Sequence, residues 1–506
     1  MSDDPIQGGG HAARLARGAV LFQVAQVLRL LGGVVVGTLL ARTFSLSEFG
    51  TYTIVLSLLQ YVTFLKASVT NAALLGVAQA DGDPERVTVV ASTGLGVYSV
   101  IGIISGLVLT AIGLLALPIL NIPEALYDSA RQGVLALAVA VMLSWPAQIF
   151  DDVLRGLQRF TLVAALEIGS ILVYVAGAVA LVVVFDSPVW ALVGWNASIP
   201  LLSGLACAVA LRRRGLGVVV NLRGARRVEA KRFGQVSGII ALGGVADLVT
   251  YSFDRAILSA FRSPATVGLY EGPLNTQNMV RMFNGVMTST VLPASTAFLA
   301  SGDLLRVREL FVRGLKYSLA ALVPFVVVIV VMPGAVLEAW LGAKFTPAAV
   351  ATGAFCSLWL VAANSSMASL LLYSAGRLRL ITAIQWLVAV INLGLALVLT
   401  PRYGLDGTIA ATMTGLLVST LLSFTIALRQ FEVPLAAVAR RAWLPAYSTG
   451  VLVAGVLAVA HTLLHVHGLL PVALAGGLSL LLYWALYAWW WLDPSERRLA
   501  RTTLGR

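Results

Sequence analysis

The chain has 506 residues, of which 59% are hydrophobic and only 11% charged, with a mean hydropathy of +0.90. A soluble domain carries about 25% charged residues, so this composition excludes a soluble enzyme or binding module. The formal net charge of +12 is what the positive-inside rule leaves in a polytopic membrane protein, and no basic tract is interleaved with aromatics as in a single-strand groove, so nucleic acid is not an expected partner.

The first apolar run covers residues 18–41, and about 20 such residues cross a bilayer. It is too long for a signal-peptide core, no convincing cleavage site follows it, and it reads as a retained span. Arg29 stands at its middle, where an unpaired cation costs between about 2.5 and 17 kcal/mol. Helical spacing puts Gln23, Gln26, Arg29 and Gly33 on one broad face. That face needs water, an anion or a counter-ion.

Further runs follow with short polar breaks at 49–72, 88–116, 131–151, 161–185, 189–211, 235–260, 267–297, 315–337, 348–374, 379–400, 406–428, 442–463 and 469–492, which makes fourteen candidate spans. With the N-terminus placed in the cytoplasm, 26 of the 35 lysines and arginines fall on the cytoplasmic side and 5 outside. This bias places both termini inside. The remaining four cations, Arg29, Lys66, Arg255 and Arg281, lie within spans. The two cysteines, Cys207 and Cys356, lie in apolar segments and read as small core residues.

A repeat is visible. LLARTFSLSEFGTY at 39–52 resembles ILSAFRSPATVGLY at 257–270, with Gly50 matching Gly268 and Tyr52 matching Tyr270, an offset of 218. ADGDPERV at 80–87 resembles ASGDLLRV at 300–307. Six spans fit the offset, and an even number gives halves of the same polarity, related by an axis along the membrane normal. The expected fold is therefore all-α, a polytopic membrane protein of about fourteen helices. Residues 1–211 form one six-helix lobe, 212–233 a basic linker, 234–430 a second six-helix lobe, and 431–506 two extra helices with a basic tail. The linker reads as stop-transfer charge on the cytoplasmic side, and its clusters also suit an interfacial segment on anionic lipid. Trp489, Trp490 and Trp491 form an interfacial aromatic belt.

Polar groups inside the spans are the candidate site. Gln60, Thr63, Lys66 and Thr70 make one stripe in the second span. The seventh carries Asp247, Asp254 and Arg255, and the eighth Glu271, Asn275, Asn278 and Arg281. The offset relates Arg29 to Asp247, Gln60 to Asn278, Thr63 to Arg281 and Lys66 to Asn284. The simplest packing points these faces at a central cavity with cations in both halves. Each has a plainer reading as half of a salt bridge, Arg29 with Asp247 being one candidate and Arg255 with Asp254 or Glu271 another. Too few carboxylates stand at depth, on this reading, to neutralise Arg29, Lys66 and Arg281, and arginine forms the paired bonds that phosphate oxygens accept. Asp151, Asp152 and the deeper Glu167 read either as helix-end charges beside Arg155 and Arg159 or as a proton or sodium site. His461, His465 and His467 cluster without carboxylate or cysteine ligands beside them, and no metal site, cofactor or catalytic motif is expected.

The chain resembles the bacterial polysaccharide transporters, the oligosaccharide-lipid flippases of the multidrug/oligosaccharidyl-lipid/polysaccharide (MOP) exporter superfamily. The clearest points are LLARTFSLSEFGTYTIVLSL at 39–58, FRSPATVGLYEGP at 261–273, AGRLRL at 375–380 and PRYGLDGTIAATMTGLL at 401–417. The resemblance implies two lobes that open alternately and a basic cavity holding the diphosphate of an undecaprenyl-diphosphate-linked glycan. By position it carries that role to Arg29, Lys66 and Arg281, with Gln26, Gln60, Asn278 and Arg255 beside them. It implies a groove for the polyprenyl chain at the last two spans, a monomer in the bacterial plasma membrane, and glycan polymerase and glycosyltransferases as neighbours in the pathway. A lipid II flippase, a multidrug/cation antiporter of the same superfamily and a membrane glycan polymerase are the alternatives. The antiporter would want an acidic cavity, and the polymerase large catalytic outer loops.

Overall fold

A computed structural model describes residues 5–80, 83–215, 217–234, 253–289, 291–492 and 496. The chain is an all-α polytopic membrane protein. Among the described residues, twelve helices are long and apolar enough to cross a membrane. They coincide with twelve of the fourteen expected spans. Of the other two, 235–260 lies largely outside the described residues, Asp247 with it. The other, 267–297, is helical but more polar, so the expected count is compatible with the structure.

The chain divides into two units, Met1–Gly268 and Leu269–Arg506. The first holds α1 (Pro5–Thr43), α2 (Leu46–Ser57), α3 (Gln60–Gln79), α4 (Pro84–Ala116), α5 (Glu124–Gly156), α6 (Phe160–Val179) and α7 (Val189–Arg213), then a helical stretch at 253–261. The division passes through α8 (Pro264–Ser289). The second unit continues with α9 (Leu292–Ala300), α10 (Leu304–Val331), α11 (Pro333–Leu341), α12 (Ala349–Ser357) and α13 (Trp359–Ser374). It ends with α14 (Leu378–Tyr403), α15 (Leu405–Gln430), α16 (Leu435–Val438), α17 (Leu444–Leu464) and α18 (Leu469–Trp490).

Local chemistry sets where helices begin. Ser45 accepts a bond from the Glu48 amide at 3.2 Å, and the Glu48 carboxylate accepts one from the Ser45 amide at 2.8 Å. This capping box starts α2. Asp83 caps α4, with Pro84 in the first helical turn, and Asp303 caps α10. These two aspartates occupy matching places in the repeated octapeptides, so the repeat preserves a cap as well as a pattern.

α5 is the axis of the first unit. It packs chiefly on α4 and α7. Small residues let the backbones close up, as membrane helices require where no hydrophobic force draws them together. A side chain added at Gly204 of α7 would meet the Ala147 carbonyl of α5, and one at Gly106 of α4 would meet Met142. α1 is peripheral and packs chiefly on α6, with Phe22 and Phe160 rings 6.0 Å apart. In the second unit α10 is the core helix, burying Phe311, Leu315, Leu319, Leu322 and Val326 against α13 and α17.

Candidate functional site

The first unit contains a cavity of about 450 Å³ enclosed by α1, α3, α5, α6 and α7. It is polar at membrane depth. Arg29 projects from α1 with its side chain 54% exposed, and its guanidinium pairs with Glu167 of α6, whose side chain is 4% exposed. Gln26, one turn before Arg29, donates to the other carboxylate oxygen of Glu167 at 3.4 Å. One acid thus receives two polar groups from the same face of α1, which explains why that face carries them.

On α5, Asp151 pairs with Arg155 at 2.8 Å across one helical turn. The Arg155 guanidinium also stands 5.1 Å from the Phe22 ring centre, a cation–π distance. Its Nε is buried without a hydrogen-bond partner. Asp152 is 3% exposed and accepts a bond from the Tyr98 hydroxyl of α4 at 2.5 Å, and that hydroxyl meets Thr70 of α3 at 2.6 Å. Lys66, one turn before Thr70, lines the same cavity, attracted by Asp152 and Asp151.

The cavity's other end is neutral. Asn196 of α7 donates to the hydroxyls of Tyr174 at 3.1 Å and Tyr52 at 3.3 Å. The Tyr174 carbonyl in turn accepts a bond from Trp195 at 3.0 Å. Ser170, Ser203 and Gln148 add neutral donors and acceptors to the lining.

Arg29, Lys66, Asp151, Asp152 and Glu167 therefore meet in one place. Arg29 pairs with Glu167, because α1 packs on α6 and brings the two within reach, while the candidate pairing with Asp247 lies outside the described residues. The expected surplus of cations is corrected for this cavity. Arg29, Lys66 and Arg155 face Asp151, Asp152 and Glu167, so the six groups balance. Gln60 is exposed at the start of α3, and neither it nor Arg255 lines the cavity. Arg281 and Asn278 stand on α8 in the second unit, on the helix where Asn275 donates to Glu271 at 3.2 Å. Asn284 of that helix bridges Ser366 at 2.6 Å and Ser318 at 3.0 Å. Sequence reasoning set Arg155 beside Asp151 and Asp152 only as a helix-end charge, and it missed Tyr98, Tyr174 and Asn196. The four-residue step from Asp151 to Arg155 was a usable signal, whereas the neutral residues carried none.

Helix-lined polar cavity and connectivity together define a multi-pass membrane protein with the fold of the MOP superfamily transporters. The inward-facing form of a multidrug resistance MATE family transporter superposes with a TM-score of 0.68 at 14% identity, over 82% of this chain and 98% of that one. The lipid II flippase MurJ, in an inward closed conformation, gives 0.66 at 13% identity over 92% and 98%. A MOP superfamily transporter from Pyrococcus furiosus, described by the reverse polarity of its binding pocket, gives 0.55 at 13% identity over 83% and 95%. No curated protein sequence matches the chain. Residues 15–298, more than half of it, match the polysaccharide biosynthesis protein family, and the chain belongs to that family.

Proposed function

We propose that this protein is a flippase that moves an undecaprenyl-diphosphate-linked oligosaccharide from the cytoplasmic to the outer leaflet of a bacterial plasma membrane by alternating access. The observation that carries the reading is the cavity of the first unit, where Arg29, Lys66 and Arg155 gather at membrane depth and a buried Arg155 Nε has no partner. Guanidinium groups grip phosphate oxygens through paired, charge-assisted bonds. The carboxylates opposite set the terms of binding. A diphosphate oxygen at Arg29 takes the place that Glu167 fills, and one at Arg155 takes that of Asp151. The site is thereby kept neutral between substrates, and its cations are freed only for a ligand that brings its own negative charge.

The neutral residues of the lining, Tyr174, Asn196 and Ser203 among them, offer hydroxyl and amide groups for sugar hydroxyls. The polyprenyl chain stays in lipid. An apolar trough of about 690 Å³ on α17, walled by Trp443, Leu444, Tyr447 and Val451, suits part of that chain. Arg281 and Asn278 serve as further diphosphate and sugar contacts in the second unit, and both termini lie in the cytoplasm. Flippases act beside the glycosyltransferases that build the carrier-linked glycan and the polymerase that consumes it.

A lipid II flippase is the second reading, favoured by the 92% of the chain that superposes on MurJ. Rescue of cells depleted of their own lipid II flippase detects it. The test of the main reading is flipping of a lipid-linked oligosaccharide by purified protein in liposomes. Arg29→Ala abolishes transport in a protein that still folds, with an unfolding midpoint lowered because buried Glu167 loses its cation. Normal transport by this variant overturns the cavity assignment.

A further inference from the structure

The basic segment that follows α7, residues 217–234, is built onto the protein and does not hang free. Three hydroxyls along the first turns of α4 receive it. The Val219 amide donates to Thr88 at 3.2 Å, the Asn221 amide to Ser92 at 3.2 Å and the Arg226 amide to Thr93 at 3.0 Å. Phe233, 3% exposed, then plugs the segment in beside Gly94.

The docking fixes its depth. α4 has 33 residues and is about 50 Å long, against roughly 30 Å of hydrocarbon. Its first turns therefore stand at the headgroups, and the segment runs along them. There it presents Val219, Leu222 and Val228 to the outside, 64%, 60% and 81% exposed. At the end of α7 and along the segment stand eight exposed cations, Arg212 to Arg214, Arg223, Arg226, Arg227, Lys231 and Arg232, against Glu229 in the segment and Asp83 and Glu85 at the start of α4.

Several basic residues of the second unit are neutralised at home. In the second unit Arg306 pairs with Asp303, Arg308 with Glu432, Arg313 and Arg441 with Glu309, and Lys316 with Glu496. Among the described residues none of the eight has a carboxylate partner, although Arg232 donates to Gln79. Cations left unpaired at headgroup depth, with apolar side chains between them, match a surface that is anionic above and oily below. We propose that this segment is a binding collar for anionic phospholipid of the inner leaflet. A basic residue near such a surface contributes about 1 kcal/mol, and the exposed valines and leucine sink into the acyl boundary as in an interfacial helix. An acidic protein would match the charge but not three exposed apolar side chains at that depth.

The test uses the full chain in nanodiscs of phosphatidylcholine alone or mixed equally with phosphatidylglycerol. Native mass spectrometry counts retained lipid, and thermal unfolding reads stabilisation. The wild type retains phosphatidylglycerol in preference and unfolds at a higher temperature in the mixed discs. The triple variant Arg223→Gln, Arg226→Gln, Arg227→Gln loses at least half of both effects. Arg306→Gln, whose charge is paired, keeps them. Equal retention of the two lipids by the wild type overturns the proposal, as does a triple variant that behaves as wild type. Capture of an acidic protein that the triple variant loses, with phosphatidylglycerol retention unchanged, also overturns it.

Discussion

Asp152 sits 3% exposed near the C-terminal end of α5, and what holds it there is a phenol from another helix. The Tyr98 hydroxyl donates a hydrogen bond to the carboxylate and touches Thr70 as well, so three helices share one oxygen. Removing one partner of such a bond strands the other, at roughly 1–3 kcal/mol. Tyr98→Phe and Asp152→Ala each lower the stability of the purified protein by about that much, and the double variant loses less than the sum by about 0.5–3 kcal/mol. Denaturant unfolding of the four proteins measures the coupling, and strict additivity refutes the bond. The ionic half of this cluster was legible in the sequence, because a charge inside an apolar run, such as Arg29, Lys66 or Glu167, announces that it needs a partner. Which partner it takes was not legible. Arg29 meets Glu167 through the packing of α1 on α6, and nothing in a one-dimensional pattern singles out that contact. Tyr98 and Asn196 are commonplace in membrane helices, so their roles surface only when the helices are placed.

At the level of elements, the lengths of apolar runs located the helices, whereas the repeated octapeptides showed a likeness without showing that Asp83 and Asp303 are caps. The break in the second span was not. Residues 49–72 read as one helix, yet α2 ends at Ser57 and α3 begins at Gln60, with Leu58 bonded to Val55 at 3.2 Å and Leu59 to Leu56 at 3.1 Å in tightened turns. No proline or glycine marks the spot. The repeat also had a structural meaning beyond its letters. Gly50 lies against the Pro264 carbonyl and Gly268 against the Leu46 carbonyl, and with the 218 offset these are one contact made twice, in reciprocal form. A two-fold relation between the start of α2 and the start of α8 produces that reciprocity. A methyl group at either glycine overlaps a carbonyl carbon and oxygen, which neither backbone can yield cheaply. Gly50→Ala and Gly268→Ala therefore each lower the unfolding temperature and the transport rate. Gly455→Ala on α17, with no atom within 4 Å of the added carbon, raises stability by about 0.5–1 kcal/mol through helix propensity. Thermal scans of the three variants check the contrast, and a Gly50→Ala or Gly268→Ala protein as stable as wild type refutes the contact.

For the molecule as a whole the decisive quantity is the charge that moves. The six ionic groups of the first unit's cavity balance, so a substrate-free site built from them carries no net charge when it reorients. A diphosphate linked to sugar at one end and polyprenyl at the other keeps a charge of about −2 at neutral pH, since neither phosphate retains a second acidic hydroxyl. A membrane potential negative inside then favours its outward passage by about 2.3 kcal/mol per charge per 100 mV, without a coupled ion. Proton or sodium antiport needs a carboxylate that is idle in the substrate-free state, and here Glu167 and Asp151 are occupied by Arg29 and Arg155 while Asp152, which has no ion pair among the described residues, accepts from the Tyr98 hydroxyl. In liposomes, an imposed potential negative on the side of substrate entry accelerates flipping. A pH or sodium gradient imposed with the potential clamped at zero leaves the rate unchanged. Acceleration by either gradient under that clamp refutes the charge-balance argument and makes Glu167 the first residue to test as the coupling site, since Glu167→Gln would then abolish the gradient response before it abolished binding.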